Sequence, residues 1–142
     1  ARADRGCGVM IDVAEQGRLK ISQILAAPSD FDGDLGYELL GLIGDGLPIQ
    51  TITPLLSAES DYARESAVWI LVETENPNLS FVDHIIPLTK DRSFRVRYWC
   101  VDFFTRNWPK LSDGQRRIAC ALKNDAHEAV SAYAQRQLGQ FE

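Results

Sequence analysis

The apolar positions of this chain recur with helical spacing. In the segment 91–104, Val96, Cys100 and Phe104 lie four residues apart, with Trp99 and Phe103 beside them. One face of a helix formed by this segment is therefore continuously apolar. Such a face has to be buried, so the pattern predicts an amphipathic helix that packs into a core.

The same pattern recurs on both sides of this segment. Thirty-three residues upstream and thirty-four residues downstream, small and aliphatic residues occupy the core positions, and the upstream copy also has the arginine. These residues are Ala63, Arg64, Ala67 and Leu71 upstream, and Val130, Ala134 and Leu138 downstream. A looser copy lies at 30–43, twenty-eight residues before the upstream copy. Self-similarity at this period with helical phasing is typical of stacked helix pairs.

The order of residues within each copy resembles the HEAT repeat. An aspartate is followed five residues later by an aliphatic residue, then by arginine, then by a small residue and a leucine or phenylalanine, most closely in 91–104. The resemblance covers roughly residues 20–140. Two copies depart from it, because one has its aspartate displaced to Asp61 and the first has Gly36 in place of arginine. The resemblance implies an all-α fold, a short right-handed solenoid of about four antiparallel helix pairs.

The aspartates of the pattern have two predicted roles. Asp91 and Asp125 each lie where a turn would lead into a helix, and a carboxylate there caps free amides and favours the helix dipole. In the family that the chain resembles, the motif arginine pairs with aspartates in a ladder between repeats. By that resemblance Arg64 and Arg97, together with Asp61, Asp91 and Asp125, form framework.

Glycine, proline and helix-capping residues predict where the helices begin and end. The segment 12–28 is predicted to be the first helix, with Gly17 as a weak point and Pro28 as its end. Pro54 and Pro87 lie inside the first helix of two successive pairs, where a proline bends or interrupts a helix. Since no segment shows a clear alternating strand pattern, we predict eight helices. Ser112, with a glutamine three residues later, predicts a capping box at the start of one of them.

Length and composition indicate one domain with a sufficient core. The chain has 142 residues, 45% of them hydrophobic, and no apolar run long enough to span a membrane. The N-terminus lacks the apolar stretch of a secretory signal. Because Met10 is the single methionine, residues 1–9 are interpreted as a vector-derived or disordered tail and 10–142 as the domain. The intact mass of the natural protein tests this interpretation.

The net charge of −5 is unevenly distributed. Residues 1–60 hold nine acidic and four basic residues, whereas residues 61–142 hold eleven of each. Phosphate backbones require cations, so nucleic acid is an unfavourable partner and a basic protein a favourable one. The three cysteines are odd in number and widely spaced, which is typical of reduced thiols in a cytoplasmic protein.

Candidate sites for metals and catalysis are weak. Asp30, Asp32 and Asp34 imitate the start of a calcium loop, but Leu35 stands where that loop needs glycine, so an acidic helix start is the interpretation. His84 and His127 have no ligand or catalytic partner at helical spacing, and Cys100 and Cys120 fall within helical patterns as small core residues. No phosphate loop or hydrolase motif is present. We therefore expect no cofactor, no metal and no enzymatic activity.

The helix face opposite the core carries the candidate partner-binding residues. It combines aromatic side chains with carboxylates and arginines. Aromatic residues and arginines often anchor protein interfaces. These residues are Asp34, Tyr37, Tyr62, Glu65, Trp69, Glu73, Arg95, Tyr98, Asp102 and Arg106. An alternative is that Trp69 and Tyr98 pack between neighbouring helices while the charges are merely solvated.

The function predicted from these features is a protein-binding module. A small acidic protein of this kind looks like a bacterial immunity protein, which binds and inhibits a cognate basic, nuclease-type toxin. One alternative is a HEAT-like DNA glycosylase, with Trp69, Asp102 and Arg106 on its concave face. Another is a scaffold subunit with exposed Leu138 and Phe141. Basic residues cluster in and after the segment 91–104. Such a cluster could contact phosphate or an acidic partner, but clusters of this kind are most often solvated surface. The cluster comprises Arg92, Arg95, Arg97, Arg106, Lys110, Arg116 and Arg117.

Overall fold

The described residues are helical, with no strand among them. The computed structural model describes residues 2–27, 34–74 and 78–142, with side chains from Val13 onwards. The α-helices are α1 (Arg2–Ala26), α2 (Asp34–Gly44), α3 (Thr53–Leu56), α4 (Asp61–Glu73), α5 (Val82–Ile85), α6 (Phe94–Asn107), α7 (Asp113–Cys120) and α8 (Glu128–Leu138). Short 3-10 helices comprise Ile49–Ile52, Leu79–Phe81, Ile86–Lys90, Trp108–Lys110, Ala121–Asn124 and Gly139–Phe141. The prediction of an all-α fold is confirmed for this part of the chain.

The chain divides into two compact units, residues 1–67 and 68–142, and the division falls within α4. In the first unit, α1 packs against α2 and α3. Ile24, Leu39 and Leu55 are fully buried there. The first helix begins at Arg2 rather than near residue 12, so it includes part of the segment 1–9 that we interpreted as a tail. A natural start at Met10 stays a prediction.

Gly17 permits a close approach in the first unit. A Cβ atom on residue 17 would lie 2.7 Å and 2.8 Å from the two methyl carbons of Leu47. Leu47 is itself buried, so its side chain has little room to move away. The glycine that looked like a weak point in the helix is therefore the residue that lets Leu47 lie against α1.

Replacing Gly17 with alanine is expected to destabilise the protein by about 1 kcal/mol. Alanine favours the helix by about 1 kcal/mol over glycine, but overpacking against Leu47 costs roughly 1–3 kcal/mol. Urea unfolding followed by circular dichroism measures the change. Gly41→Ala is the control, because a Cβ at that position on α2 meets nothing within 4 Å. Higher stability in Gly17→Ala than in the wild type would contradict the packing argument.

The second unit is built on α6. This helix packs against α8, against α7 and against the 3-10 helix Ile86–Lys90. The repeating apolar positions predicted from the sequence are buried: Val96, Cys100 and Phe104 on α6, and Val130, Ala134 and Leu138 on α8. Because Leu138 has no accessible surface, its burial speaks against the scaffold alternative, which requires that side chain to be exposed. Phe141 is 37% exposed and stacks on Trp108, with ring centroids 4.7 Å apart.

The two internal prolines interrupt helices as expected. Pro54 lies in the first turn of the four-residue α3, directly after the 3-10 helix Ile49–Ile52. Pro87 lies in the first turn of the 3-10 helix Ile86–Lys90, which follows the four-residue α5. A proline has no N–H to donate and its ring clashes with the preceding turn. Both segments are therefore made of short α and 3-10 pieces rather than one continuous helix.

An arginine on α6 links that helix to the start of α8. Arg97 Nε and Nη2 donate to the two carboxylate oxygens of Asp125 at 2.8 Å and 3.1 Å, and Arg97 Nη1 donates to the carbonyl of Asp91 at 2.6 Å. The side chains of Arg97 and Asp125 are only 15% and 7% exposed. In the first unit Arg64 is buried, ion-pairs with Asp61 and donates to two backbone carbonyls. These contacts confirm the predicted framework role of both arginines.

The predicted capping by Asp91 and Asp125 is wrong in detail. The N-cap residues of α6 and α8 are Ser93 and His127, each two residues further along the chain. The aspartates instead accept hydrogen bonds from the backbone N–H groups of Ser93 and His127, at 2.9 Å and 2.8 Å. They shape the turn before the helix because a short carboxylate reaches an amide two residues on. The capping box of α7 is confirmed, with Ser112 and Gln115 exchanging both hydrogen bonds.

Candidate functional site

The side chains that face solvent in the second unit include a stacked aromatic pair. Tyr98 on α6 and Tyr133 on α8 lie with their ring centroids 4.3 Å apart and their planes within 11° of parallel. Both are partly exposed. They meet because α6 and α8 pack side by side through the apolar positions described above. The rings of Tyr98 and Trp99 are nearly perpendicular, with centroids 5.6 Å apart.

A carboxylate is held beside this pair. Asp102 follows Tyr98 by one helical turn on α6, so both side chains lie on the same face of the helix. The phenol Oη of Tyr133 donates a hydrogen bond to Asp102 Oδ1. This bond joins α8 to α6 and fixes the orientation of both side chains. We call Glu73, Tyr98, Asp102, Arg106 and Tyr133 the tyrosine–carboxylate cluster.

The cluster shifts the titration of its own members. Burial raises the pKa of Asp102, and the negative charge of Glu73 adds to the rise, while the Tyr133 hydrogen bond and the charge of Arg106 oppose it. Burial likewise raises the pKa of Tyr133, together with the hydrogen bond to Asp102. The tyrosine therefore keeps its proton and acts as a donor. An approaching cation would offset the repulsion between the Asp102 and Glu73 carboxylates.

Removing individual neighbours is expected to move the pKa of Asp102 in opposite directions. Tyr133→Phe removes a hydrogen bond to the charged carboxylate, so the pKa of Asp102 rises. Glu73→Gln removes a nearby negative charge, so the pKa of Asp102 falls. Carbon-detected NMR titration of the Asp102 carboxyl group measures both. A shift in the same direction in the two variants would show that the cluster does not have this geometry in solution.

The site contains two arginines, Arg106 within the cluster and Arg136 beside it. Arg106 Nη2 donates to the carbonyl of Thr74 at 2.7 Å, just after the end of α4, where helix carbonyls lack partners within the helix. Arg136 places its guanidinium 5.3 Å from the centroid of the Tyr133 ring, on α8. The site thus combines aromatic surface, two carboxylates and two arginines on α4, α6 and α8.

Six of the ten residues predicted from the sequence belong to the second unit. Glu73, Tyr98, Asp102 and Arg106 are brought together in the cluster, in which Tyr98 packs on Tyr133 while remaining partly exposed. Trp69 is partly buried between the buried Val68 and Ile70. Arg95 is exposed and lies over the Phe94 ring, 5.9 Å from its centroid. The Arg95 guanidinium therefore lies against the Phe94 ring rather than in the cluster.

The other four predicted residues lie in the first unit. Asp34 opens α2 and is exposed, Tyr37 is 66% exposed, and Glu65 is partly buried. Tyr62 is only 5% exposed, contrary to the expectation that it faces solvent. The reason is that α4 is buried over most of its circumference, including the polar Arg64 and Ser66. Assignment to a core face and an opposite face fails for such a helix.

Sequence reasoning missed Tyr133. The repeat alignment places it thirty-four residues after Trp99, at the edge of the apolar face rather than on the opposite face. Its neighbours Ala132 and Ala134 are small, so the ring is the largest side chain in that turn. An aromatic residue standing alone between alanines was the available signal. Its partner on α6 is decided only when the two helices pack.

The other candidate sites have structural contacts or lie outside the described residues. Asp30 and Asp32 of the predicted acidic helix start are not among the described residues. His127 caps α8 by accepting a hydrogen bond from Ala129 N through Nδ1, and its ring stacks on Phe94 with centroids 3.9 Å apart. Burial raises the pKa of the Cys100 thiol, so it stays protonated and poorly nucleophilic.

Cys120 is partly exposed and His84 is exposed. Across residues 13–27, 34–74 and 78–142, no three histidine, cysteine or acidic side chains are grouped so that they could hold a metal ion. None of the described helices is both long and apolar enough to cross a membrane. No protein-family model, no curated protein and no solved structure matches this chain.

Proposed function

We propose that this chain is a non-catalytic protein-binding module and that the tyrosine–carboxylate cluster is its partner-binding site. The observation that carries the proposal is the stacked pair of Tyr98 and Tyr133, which remains partly exposed. The hydroxyl of Tyr133 also donates a hydrogen bond to Asp102. Tyrosine is favoured at interfaces because it offers a large contact area at a low cost in conformational entropy. Here the stacking and the hydrogen bond already restrict both rings before a partner binds. Less ordering is then required on association.

The charge of the site favours a basic partner. Asp102 and Glu73 repel each other electrostatically, which contributes to the raised pKa of Asp102. A lysine or arginine from a partner would stabilise both carboxylates in their charged form. The net charge of −5 adds long-range attraction for such a protein. An electrostatic match of this kind mainly raises the association rate and the specificity.

The most specific form of this proposal is a bacterial cytoplasmic immunity protein that inhibits a basic, nuclease-type toxin. It rests on the acidic and aromatic surface together with a HEAT-like architecture, in which the helices form a short right-handed solenoid of about four antiparallel pairs. Two features support that architecture. The Arg97–Asp125 pair joins the arginine position of one copy of the pattern to the aspartate position of the next, and Pro54 and Pro87 interrupt the segments expected to be first helices.

Affinity capture from the native source, followed by quantitative binding, tests the proposal. We expect wild-type protein to retain one basic protein and Glu73→Lys to lose it. Asp83→Lys is the charge-matched control, because Asp83 is an exposed acid on α5 outside the cluster. For the purified partner, calorimetry should give at least about a hundredfold weaker binding for Tyr98→Ala, since anchor residues carry most of an interface's energy. Circular dichroism melts check that each variant is folded.

The immunity hypothesis has its own readout. If the retained protein degrades nucleic acid, stoichiometric wild-type protein should abolish that activity and Glu73→Lys should restore it. Retention that survives Glu73→Lys and Tyr98→Ala would move the binding site elsewhere and overturn the assignment to the cluster. A retained basic protein without nuclease activity would support the protein-binding module but would contradict the hypothesis that its partner is a nuclease toxin.

The nucleic-acid alternative makes a different prediction. A glycosylase-like surface needs a cationic cradle for phosphates. In the cluster, Arg106 already donates to the carbonyl of Thr74, and two carboxylates stand beside it. Electrophoretic mobility shifts with single- and double-stranded oligonucleotides are therefore expected to show no binding. Salt-dependent binding that Arg106→Ala weakens would favour that alternative over the protein-binding module.

A further inference from the structure

A second surface in the 68–142 unit differs from the tyrosine–carboxylate cluster in both charge and shape. It is an open groove of about 510 Å³ between the 3-10 helix Ile86–Lys90, α7 and the 3-10 helix Ala121–Asn124. This volume falls within the range of ligand-binding clefts, roughly 300–1,000 Å³. We call it the α7 groove.

The α7 groove has an apolar surface. Ile118 lines it and is 37% exposed, one of few large aliphatic side chains in the described structure that are this accessible. Leu122, one turn further on, is buried beneath it. Gly114 completes this side of the groove one turn before Ile118. A Cβ at Gly114 would meet only Ser112 Oγ at 3.9 Å and Arg117 Nη2 at 4.0 Å. The open space at this position is therefore not filled by neighbouring elements.

The charge of the α7 groove is positive. Lys90 and Arg117 line it and are exposed, and neither forms an ion pair within the described part of the chain. Asp125 is the single carboxylate in the lining, and both of its oxygens accept hydrogen bonds from Arg97. Its charge is thus already compensated, whereas those of the two cations are not. The sign is opposite to that of the chain as a whole.

We propose that the α7 groove binds an acidic amphipathic segment of a protein partner, with an aliphatic side chain on Ile118 and carboxylates against Lys90 and Arg117. Charge complementarity selects this occupant. A nucleic acid would use the two cations but leave the apolar surface without a complement, and an amphipathic peptide satisfies both. A module of this kind can hold a basic protein at one surface and an acidic segment at another.

The test uses the full chain and a fluorescein-labelled twelve-residue peptide that carries leucines four residues apart and glutamates elsewhere. Fluorescence anisotropy is expected to show micromolar binding that weakens as salt rises. Replacing the glutamates of the peptide with lysine should abolish binding, and replacing its leucines with serine should weaken it at least about tenfold. Amide shifts in NMR spectra should concentrate at Gly114 and Ile118.

Three variants of the protein locate the site. Arg117→Glu reverses one of the two cations and should weaken peptide binding at least about tenfold. Lys110→Glu is its charge-matched control, an exposed lysine outside the lining, and should bind as the wild type does. Gly114→Leu fills the groove without a clash at Cβ, so it should weaken binding at least about tenfold while the protein stays folded.

Several results would overturn the proposal. The proposal fails if the acidic peptide does not bind at millimolar concentration. It fails as well if the peptide binds Arg117→Glu and Gly114→Leu as tightly as the wild type. The proposal also fails if, in place of the peptide, a thymidine oligonucleotide or phosphatidylglycerol vesicles bind with the same sensitivity to these variants. Sedimentation equilibrium showing self-association that Gly114→Leu abolishes would assign the groove to a second copy of the chain instead.

Discussion

Replacing Asp125 with alanine is expected to lower the free energy of unfolding by about 3 kcal/mol, because it leaves the Arg97 guanidinium poorly solvated without its partner. The Arg97 side chain is 15% exposed and that of Asp125 7% exposed, so water compensates little for the lost contact. The substitution also removes the acceptor for the backbone N–H of His127, which shapes the turn before α8. Both losses act at the junction between α6 and α8.

Chemical denaturation of four proteins measures the energy of this pair. They are the wild type, Arg97→Ala, Asp125→Ala and the double variant, and their free energies form a double-mutant cycle. The double variant should cost clearly less than the sum of the two single variants, since the second removal abolishes an unpaired charge. Asp113→Ala, at an exposed acid in the first turn of α7, is the control and should cost under about 1 kcal/mol. Additive costs would show that the ion pair is absent in solution.

The same pair predicts a pH dependence. Burial on its own would raise the pKa of Asp125, but the Arg97 hydrogen bonds, the His127 N–H and the nearby positive charge lower it below its usual value. A lowered folded-state pKa contributes stability above the unfolded-state pKa of about 3.9, and that stability is lost as the pH falls through the folded-state value. Wild-type stability should therefore decrease more steeply below pH 4 than that of Asp125→Asn. Parallel curves would contradict the pKa shift.

Replacing Phe104 with alanine is expected to cost about 4 kcal/mol, the larger of the two effects. Phe104 is fully buried on α6 and meets the Phe103 ring edge-on, with centroids 5.9 Å apart. Removing the ring loses its transfer free energy and leaves a cavity that a close-packed core fills only in part. A cost of this size is a large fraction of the roughly 5–15 kcal/mol by which native proteins are stable.

Phe104→Leu is the matched control. The sequence pattern places leucine at the equivalent positions, Leu71 and Leu138, and both are fully buried. A leucine at residue 104 should therefore cost much less than alanine. Thermal and urea unfolding give both values. Equal costs for the two substitutions would indicate that the ring, rather than buried volume, is what this position requires.

The Arg97–Asp125 pair also bears on the candidate binding site. Asp125 shapes the turn that leads into α8, and α8 carries Tyr133 to its stacking position against Tyr98. An Asp125→Ala protein that stays folded should therefore have a less ordered tyrosine pair. NMR relaxation of the two rings would detect this. The framework and the proposed binding surface are connected through one helix.

The helices and their buried faces were readable from the sequence because they depend on local spacing. Apolar side chains four residues apart predicted the buried faces of α6 and α8, and Ser112 with Gln115 predicted the cap of α7. Helix boundaries at the prolines were likewise local, since a proline acts on its own turn. The family resemblance predicted that Arg97 pairs with an aspartate of the pattern, and the structure shows that the side-chain partner is Asp125.

The binding surface was only partly readable, because exposure depends on what packs against a helix. Tyr62 was expected to face solvent, but α4 is buried on most sides. Tyr133 was missed because its partners Tyr98 and Asp102 are about thirty residues away in sequence. The α7 groove could not be predicted from the sequence either, although the basic residues around it could be identified there.

By itself, then, the sequence determined the helical class, the apolar faces and one helix cap, since each follows from side chains within a turn or two of one another. Only the tertiary structure decided which aromatic and charged groups share a surface. Docking α8 on α6 brings the Tyr133 hydroxyl to Asp102, and docking α7 beside Ile86–Lys90 places Arg117 and Lys90 along one groove. Such contacts depend on how helices pack, and packing is a property of pairs of faces rather than of any one segment.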